Sequence, residues 1–310
     1  MKTDTFWFKG VDDLDLFVYK WTEETNPKAI LLLVHGSVEH ALRYTHFAEK
    51  LTQSDYLVFA PDMRGHGKTA EKSGLFSYMA DKDGWELSVQ DLWKLSIYIK
   101  EKHPGIPFYI FGHSMGSFLV RDYISRYGDQ TKAAVITGST LGQPILARTG
   151  LLLSKILRLF NNQQSKSPFF HKMLYGNLNA VVPNPRTEVD FISRDSHEVD
   201  KYIKDPWCGC TVTIEYATQL ALGSLNTAKP TAFRNTPNKL PIYILSGTDD
   251  PVGGHKAKDV IDLVEQYQKY GSRKVELKLY EGARHELLNE SNKDEIMLDI
   301  IQWMDKQLIE

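Results

Sequence analysis

A serine between two glycines, in the segment Gly112-His113-Ser114-Met115-Gly116, constrains this sequence more than any other feature. The apolar run 106–111 before it is typical of a buried strand, and the pattern over 118–124 after it favours a helix. Flanking glycines allow a turn tight enough to lift the serine hydroxyl out of the chain. The start of the following helix would direct backbone N–H groups at an anion formed beside that hydroxyl. The pattern therefore predicts a nucleophilic serine at the end of a strand.

A general base and an orienting acid are also available. A serine hydroxyl is a weak nucleophile at neutral pH, and it needs both. Asp250 lies in the loop after the strand-like run 240–245, and His285 lies just after the alternating run 275–280. Open sheets of parallel strands gather their ligand sites at the carboxyl ends of the strands. We therefore expect Ser114, Asp250 and His285 to converge.

Both choices have competitors in the sequence. Asp249 is the alternative acid, but Asp250 is favoured because the following Pro251 biases it toward an extended conformation. His255 opens a helical pattern and is expected at the surface. A capping or solvated loop histidine is the alternative interpretation of His285, and the chain order Ser, Asp, His favours the catalytic one.

The remaining chain alternates strand-like and helix-like segments after an opening hairpin. Such alternation predicts a mostly parallel sheet with helices on both faces. The alternation stops in the middle third, where no convincing strand is found. We therefore divide the chain into an N-terminal core part (1–140), a helical insertion (141–207) and a C-terminal core part (208–310).

Two further motifs reveal a family resemblance. The segments LLLVHGSVEH (31–40) and PDMRGHG (61–67) precede the serine motif (112–116) and GTDDP (247–251). In this order they resemble monoacylglycerol lipases and bacterial lysophospholipases, from about residue 29 to the last helix. The resemblance implies an α/β-hydrolase fold with a helical cap, and hydrolysis of carboxylic esters of single acyl chains. It implies a small lipid ester as substrate, and neither a cofactor nor a metal.

The resemblance also implies an oxyanion hole formed by the backbone N–H groups of Ser37 and Met115. The chemistry agrees, because one donor follows the nucleophile and the other comes from the loop after the third strand. The family commonly has a second glycine where this chain has Val38. A β-branched residue tolerates positive φ badly, so either the loop does not need that conformation or its shape differs.

Substrate contacts are predicted in two places. The segment 150–160 would form a helix with a broad apolar face, on which Leu152 and Ile156 are candidate substrate contacts. This helix is either a lid that meets lipid and lines an acyl tunnel, or a helix that packs with its apolar face hidden. Glu39 and Arg43, four residues apart, form either an ion pair at the pocket mouth or a site for a polar head group.

Composition excludes several classes of partner. The net charge of −2 and the lack of a basic stripe with aromatic residues argue against nucleic acid. No signal-like apolar stretch opens the chain, and no apolar run is long enough to cross a bilayer. We expect a cytoplasmic monomer or weak homo-oligomer, with peripheral membrane contact through the cap. Cys208 and Cys210 are too close for an unstrained disulfide, so they are expected as small buried side chains or as a thiol in the acyl pocket.

Other functions of the same fold stay open. Short-chain carboxylesterases, acyltransferases and prolyl-type peptidases use the same catalytic residues, and a non-catalytic binding protein is a further alternative. A complete set of candidate catalytic residues argues against the binding protein. A serine nucleophile argues against dehalogenase and epoxide hydrolase chemistry, in which an aspartate would stand at this position.

Overall fold

An eight-stranded sheet forms the centre of the computed structural model, which describes residues 1–23 and 26–309. Its strands are β1 Lys2–Lys9, β2 Asp15–Thr22, β3 Ala29–Val34, β4 Tyr56–Pro61, β5 Phe108–His113, β6 Ala133–Thr137, β7 Ile242–Gly247 and β8 Val275–Tyr280. Their order in the sheet is β1-β2-β4-β3-β5-β6-β7-β8. The β1–β2 and β2–β4 pairs are antiparallel, and all later pairs are parallel.

Helices cover both faces of this sheet. Within the described ranges they are α1 Thr45–Gln53, α2 Gly67–Ser73, α3 Gly84–Lys102, α4 Met115–Tyr127, α5 Pro144–Leu157, α6 Pro168–Tyr175, α7 Ser196–Lys204, α8 Ile214–Thr227, α9 Pro230–Asn235, α10 Lys258–Lys269 and α11 Lys293–Ile309. One apolar cluster joins the sheet to α3, α4, α8 and α10, and a second joins its other face to α1 and α11. None of the described helices is both long enough and apolar enough to cross a bilayer.

The α/β-hydrolase fold expected from the sequence is confirmed. Every residue of β3 to β7 is buried, since helices cover the central strands on both sides. β8 coincides with the predicted run 275–280, and β7 begins and ends two residues after the predicted run 240–245. The apolar run before the serine ends at Phe111, but β5 continues to His113 because its pairing with β6 extends to Thr137.

The segment between β6 and α8 carries three α-helices and two short 3-10 turns. Its one pairing outside named strands, among the described residues, is an isolated bridge from Lys166 to Thr213. α5 packs along α8 and buries only small side chains there, those of Ala147, Gly150 and Ser154. This segment lies next to the carboxyl ends of the strands, as the pocket described below requires.

Candidate active site

Ser114 occupies the turn between β5 and α4. Its backbone has φ 51° and ψ −119°, a strained conformation for a residue with a side chain. The flanking glycines are needed, because a Cβ on Gly116 would lie 2.2 Å from the carbonyl oxygen of Val34. A Cβ on Gly112 would lie 2.4 Å from the Gly116 carbonyl oxygen. The backbone N–H of Ser114 donates to Thr137 at 3.0 Å, which holds the turn against β6.

The structure brings the three predicted residues together. His285 Nε2 lies 3.0 Å from Ser114 Oγ, and His285 Nδ1 lies 3.0 Å from Asp250 Oδ1. Asp250 is buried and also accepts a hydrogen bond from the Val252 N–H at 2.9 Å. The competing Asp249 is exposed, and the carboxylate bonded to the imidazole is that of Asp250. With Nδ1–H donating to Asp250, Nε2 is left as an acceptor for the serine proton.

Two neighbouring histidines have opposite electrostatic environments. Burial by itself would lower the pKa of His285, but the Asp250 carboxylate outweighs it and the pKa is raised, with smaller contributions from Glu286 and Glu39. The ring of His113 lies 4.8 Å from that of His285. Burial and the charge of His285 lower the pKa of His113 well below its usual range. Only His285 of this pair is therefore suited to gain and lose a proton near neutral pH.

Ser37 and Met115, the two residues predicted for the oxyanion hole, line the same cavity as Ser114. Ser37 lies in the loop after β3 and Met115 is the first residue of α4. Neither N–H donates to another group within the part of the chain that the structure describes. Val38 has φ 50°, so the loop adopts the left-handed conformation despite its β-branched side chain. The expectation that Val38 would keep the loop out of this conformation is therefore wrong, because the valine itself adopts the positive φ.

An ionic cluster borders the pocket near His285. Arg43 donates from Nη1 to Glu39 Oε2 at 2.6 Å, and its two Nη atoms donate to Glu286 at 2.7 and 2.6 Å. The guanidinium also lies over the ring of Tyr202, 4.9 Å from its centroid. The predicted ion pair between Glu39 and Arg43 therefore forms. Sequence reasoning missed Glu286, although its place directly after His285 was an available signal.

A cavity of about 400 Å³ opens at Ser114. Its walls come from β-strand ends, α4, α5, α6 and α8, and most of its side chains are apolar: Val38, Met115, Phe118, Leu146, Ala147, Met173, Leu174, Leu178, Phe191, Ile192, Ala217, Leu220 and Val252. Glu39 and Glu286 contribute carboxylates, and the lining contains no lysine or arginine among the described residues. The site can thus hold an apolar group beside the Ser114 hydroxyl.

Leu152 and Ile156 are not part of this cavity, contrary to the prediction. They are 61 % and 47 % exposed on the outer face of α5. The same helix presents Leu146, Ala147 and Gly150 to the cavity, because residues four apart share a helical face. Part of the apolar face of α5 is therefore exposed, although Leu153 and Leu157 pack partly against the core.

One group of metal-ligating side chains converges among the described residues. Ligand atoms of His40, Asp205 and Cys208 all lie within 4.8 Å of one another. His40 and Asp205 line a larger, more open cavity of about 980 Å³ that contains none of the three catalytic candidates. His40 Nε2 already bonds Asp205 at 2.8 Å, and the buried Nδ1 atom has no partner that would orient a metal-bound imidazole. Burial raises the pKa of the Cys208 thiol, which disfavours the thiolate that a metal would need.

Comparison with known proteins identifies the relatives of this chain. The family model described as "Serine aminopeptidase, S33" (Hydrolase_4) matches residues 25–292. The monoacylglycerol lipase of Mycolicibacterium smegmatis is 28% identical over 305 residues, covering 96% of this chain and 95% of the relative. The monoglyceride lipase of Rattus norvegicus is 28% identical over 308 residues, covering 96% of this chain and 89% of the relative.

Solved structures agree with this assignment. A thermostable carboxyl esterase from Bacillus coagulans, in complex with glycerol, superposes with a TM-score of 0.92 at 27% identity, covering 99% of each chain. A soluble variant of the monoglyceride lipase from Saccharomyces cerevisiae, in complex with a substrate analog, has a TM-score of 0.75 at 18% identity, covering 99% of this chain and 95% of that one. The second likeness is one of fold alone. The chain therefore belongs to the serine aminopeptidase S33 family and is an α/β-hydrolase similar to monoacylglycerol lipases.

Proposed function

We propose that this chain hydrolyses the esters of single acyl chains through Ser114, His285 and Asp250. The chain is a carboxylic ester hydrolase, as its lipase relatives and esterase neighbours indicate. The observation that carries the proposal is the pair of 3.0 Å contacts from His285, one to Ser114 and one to Asp250, at the mouth of an apolar cavity.

Proton transfer follows from the two contacts of His285. Nε2 accepts the proton of the Ser114 hydroxyl as the oxygen attacks the ester carbonyl, and then donates it to the leaving alcohol. Asp250 holds the tautomer with Nδ1–H and stabilises the imidazolium that forms. Water then attacks the acyl-enzyme with His285 again as base, which restores the free serine.

The N–H groups of Ser37 and Met115 would stabilise the tetrahedral intermediate. Ser37 lies in the loop that follows β3, and Met115 lies in the first turn of α4. Donors that are oriented before the reaction stabilise the developing charge without reorganisation, and the helix start adds its dipole.

The cavity favours a single acyl chain with a neutral head group. Its volume of about 400 Å³ and its apolar walls suit one hydrocarbon chain. The polar contribution near His285 comes from Glu39 and Glu286, and the guanidinium of Arg43 is already engaged by both. A phosphate head group would meet carboxylates without a free cation, so a monoacylglycerol fits better than a lysophospholipid.

The same cluster argues against peptide substrates, despite the description of the family. An aminopeptidase needs a free carboxylate for the substrate ammonium group. Glu39 accepts hydrogen bonds from the Gly36 N–H, the Tyr44 hydroxyl and Arg43, and Glu286 accepts from Arg43 through both oxygens. Neither carboxylate is available for an ammonium group.

Peripheral contact with lipid is proposed for the segment from α5 to α6. Large apolar side chains are exposed there, namely Ile145, Leu152, Ile156, Leu159, Phe160 and Phe169. The sequence between them contains Lys155 and Arg158, and basic residues beside apolar ones favour an anionic membrane surface. The double variant Leu159→Ser, Phe160→Ser should co-sediment less with phosphatidylglycerol vesicles than wild type does. Its hydrolysis of a soluble ester should be unchanged. Unchanged sedimentation would refute this contact.

Hydrolysis assays on wild type and Ser114→Ala test the proposed function. The substrates are p-nitrophenyl esters from acetate to palmitate, a monoacylglycerol, a lysophosphatidylcholine and an aminoacyl p-nitroanilide. We expect monoacylglycerol and medium or long esters to be cleaved, the anilide to be spared, and all turnover to need Ser114. Ester hydrolysis by Ser114→Ala, or preference for the anilide, would overturn the proposal. Faster cleavage of lysophosphatidylcholine than of monoacylglycerol would overturn the assignment of a neutral head group.

A further inference from the structure

Two tyrosines hold the side chain of Ser37 between them. Tyr175 is the last residue of α6, and Tyr216 lies in the first turn of α8. Ser37 Oγ lies 2.5 Å from the Tyr175 hydroxyl and 2.6 Å from the Tyr216 hydroxyl. The Ser37 hydroxyl is therefore fully engaged and is not a free donor toward the substrate.

His66 gives this chain of hydrogen bonds a direction. Its Nδ1 lies 2.8 Å from the carbonyl oxygen of Arg64, which only accepts, so Nδ1 carries a proton. Burial lowers the pKa of His66 to about 4, which leaves Nε2 as an acceptor. The Tyr216 hydroxyl, 3.1 Å from Nε2, then donates to it. Ser37 accordingly donates to Tyr216 and accepts from Tyr175, so the three hydroxyl protons all point along the chain of hydrogen bonds toward His66.

Tyr216 contacts the side chains of both residues assigned to the oxyanion hole. Besides Ser37, its hydroxyl lies 3.1 Å from the sulfur of Met115. Tyr216 is buried, so its hydroxyl makes both contacts away from solvent. No other hydroxyl in the described part of the chain is recorded in contact with both side chains.

Strain explains why the loop needs such support. Val38, directly after Ser37, has φ 50°, a conformation that a β-branched residue adopts at a cost. The carbonyl oxygen of Val38 accepts a hydrogen bond from the Gly209 N–H at 2.9 Å. Hydrogen bonds from Tyr175 to Ser37 and from Gly209 to the Val38 carbonyl therefore hold the loop on either side of the strained N–Cα bond of Val38.

We propose that Tyr175 and Tyr216 are positioning residues for the oxyanion hole, which hold Ser37 by its hydroxyl and thereby fix the direction of its backbone N–H. The inference rests on the proposed function, in which that N–H stabilises the intermediate. Because Tyr175 belongs to α6, the donor is correctly placed only while α6 is docked against the loop. The nucleophile and its base do not depend on this contact.

The test uses Tyr175→Phe and Tyr216→Phe, which remove one hydroxyl each and keep the rings. Loss of an oxyanion donor costs roughly 10²–10³-fold in kcat, so misplacement of one should cost on the order of tenfold. We expect this loss in kcat for p-nitrophenyl butyrate, with KM within about twofold of wild type. Tyr127→Phe is the matched control, since Tyr127 ends α4, twelve residues and about 18 Å from Met115.

A trifluoromethyl ketone separates positioning from a general structural defect. The Ser114 oxygen adds to the ketone carbon, its proton passes to His285, and an anionic hemiketal forms. The inhibition constant should therefore rise by the same factor by which kcat/KM falls. Tyr175→Phe combined with Ser37→Ala should cost no more than Ser37→Ala alone, because Ser37→Ala already removes the hydrogen bond that Tyr175→Phe would remove. In a Val38→Gly background, where the strain is absent, the penalty of Tyr175→Phe should shrink.

Three results would overturn the inference. They are a kcat for both phenylalanine variants within twofold of wild type, a rise in KM at unchanged kcat, or additive losses in the Ser37→Ala combination. A rise in KM alone would instead assign Tyr175 to substrate binding. Ester hydrolysis that survives Ser114→Ala would overturn the proposed function itself, which keeps the two failures distinct.

Discussion

Replacing Arg43 by methionine should destabilise the protein strongly. The side chains of Arg43, Glu39 and Glu286 are only 9%, 3% and 7% exposed, so the guanidinium neutralises two buried carboxylates. Methionine keeps an apolar stem over Tyr202 but removes the charge and its three hydrogen bonds. Removal of one partner from a buried ion pair typically costs about 3–5 kcal/mol.

This cost converts into a measurable shift in melting temperature. An unfolding entropy of about 2.1 cal/mol/K per residue gives roughly 0.65 kcal/mol per kelvin for a chain of 310 residues. The expected loss in Tm is therefore about 5–8 °C at pH 7. Scanning calorimetry or circular dichroism at low ionic strength would measure it, with urea unfolding as an independent estimate of the free energy.

Lowering the pH should reduce the difference in free energy of unfolding between Arg43→Met and wild type. Burial already raises the pKa of Glu39 above 4.5 although Arg43 opposes the shift, so loss of Arg43 would raise it further. Between the ordinary pKa and the raised one, the folded state binds more protons than the unfolded state. Stability of the variant is then lost as pH rises and is regained as pH falls toward 5.

A matched pair of variants makes this reasoning refutable. Arg234→Met removes an exposed arginine that lies over Tyr270, and it should change the free energy of unfolding by less than about 0.5 kcal/mol. Adding Glu286→Gln to Arg43→Met should restore part of the lost stability, since one carboxylate is neutralised. A free-energy loss below about 1 kcal/mol for Arg43→Met, or a difference that widens on acidification, would refute the argument.

Three further predictions concern His285, Asp250 and the contact between the loops that carry them. Because the pKa of His285 is raised, kcat/KM should fall on the acid side with a midpoint above 6.5, and Glu286→Gln should move that midpoint to lower pH; a shift to higher pH would contradict the assignment. Asp250→Asn should lower kcat by roughly 10⁴-fold with an unchanged circular dichroism spectrum, and near-normal turnover would exclude Asp250 as the orienting acid. A Cβ at Gly247 would lie 1.9 Å from the carbonyl oxygen of Ala283, so Gly247→Ala should cost about 1–3 kcal/mol in urea unfolding and also lower kcat; wild-type stability would show that the two loops are not in close contact.

Much of the sheet is predictable because its physical cause is local. Central parallel strands are covered on both faces, so β3 appears in the sequence as an uninterrupted apolar run and β7 begins with the apolar run 242–245. The predicted residues Ser114, Asp250 and His285 follow from strand ends together with the chemistry of a weak nucleophile. Their convergence could be expected because parallel strands end at one edge of a sheet.

The other site residues depend on packing that leaves no local pattern. Tyr175 and Tyr216 reach Ser37 from 138 and 179 residues away, and neither lies in a recognisable motif. The prediction for Leu152 and Ile156 was wrong because an apolar helix pattern does not reveal which face packs inward. In α5 the fully buried positions carry small residues, among them Gly150. Of its large side chains, Leu153 and Leu157 pack partly against the core, whereas Leu152 and Ile156 remain exposed.

Val38 offers a test in which the usual order of two substitutions should be reversed. In a helix or strand with negative φ, glycine destabilises a protein by about 0.5–1 kcal/mol relative to alanine. At φ 50° alanine retains the steric cost of the left-handed region, whereas glycine does not. Both variants lose the same class of contacts, since Val38 is only 3% exposed. We therefore expect Val38→Gly to be more stable than Val38→Ala in urea unfolding; the opposite order would mean that the loop relaxes out of the left-handed region when valine is removed.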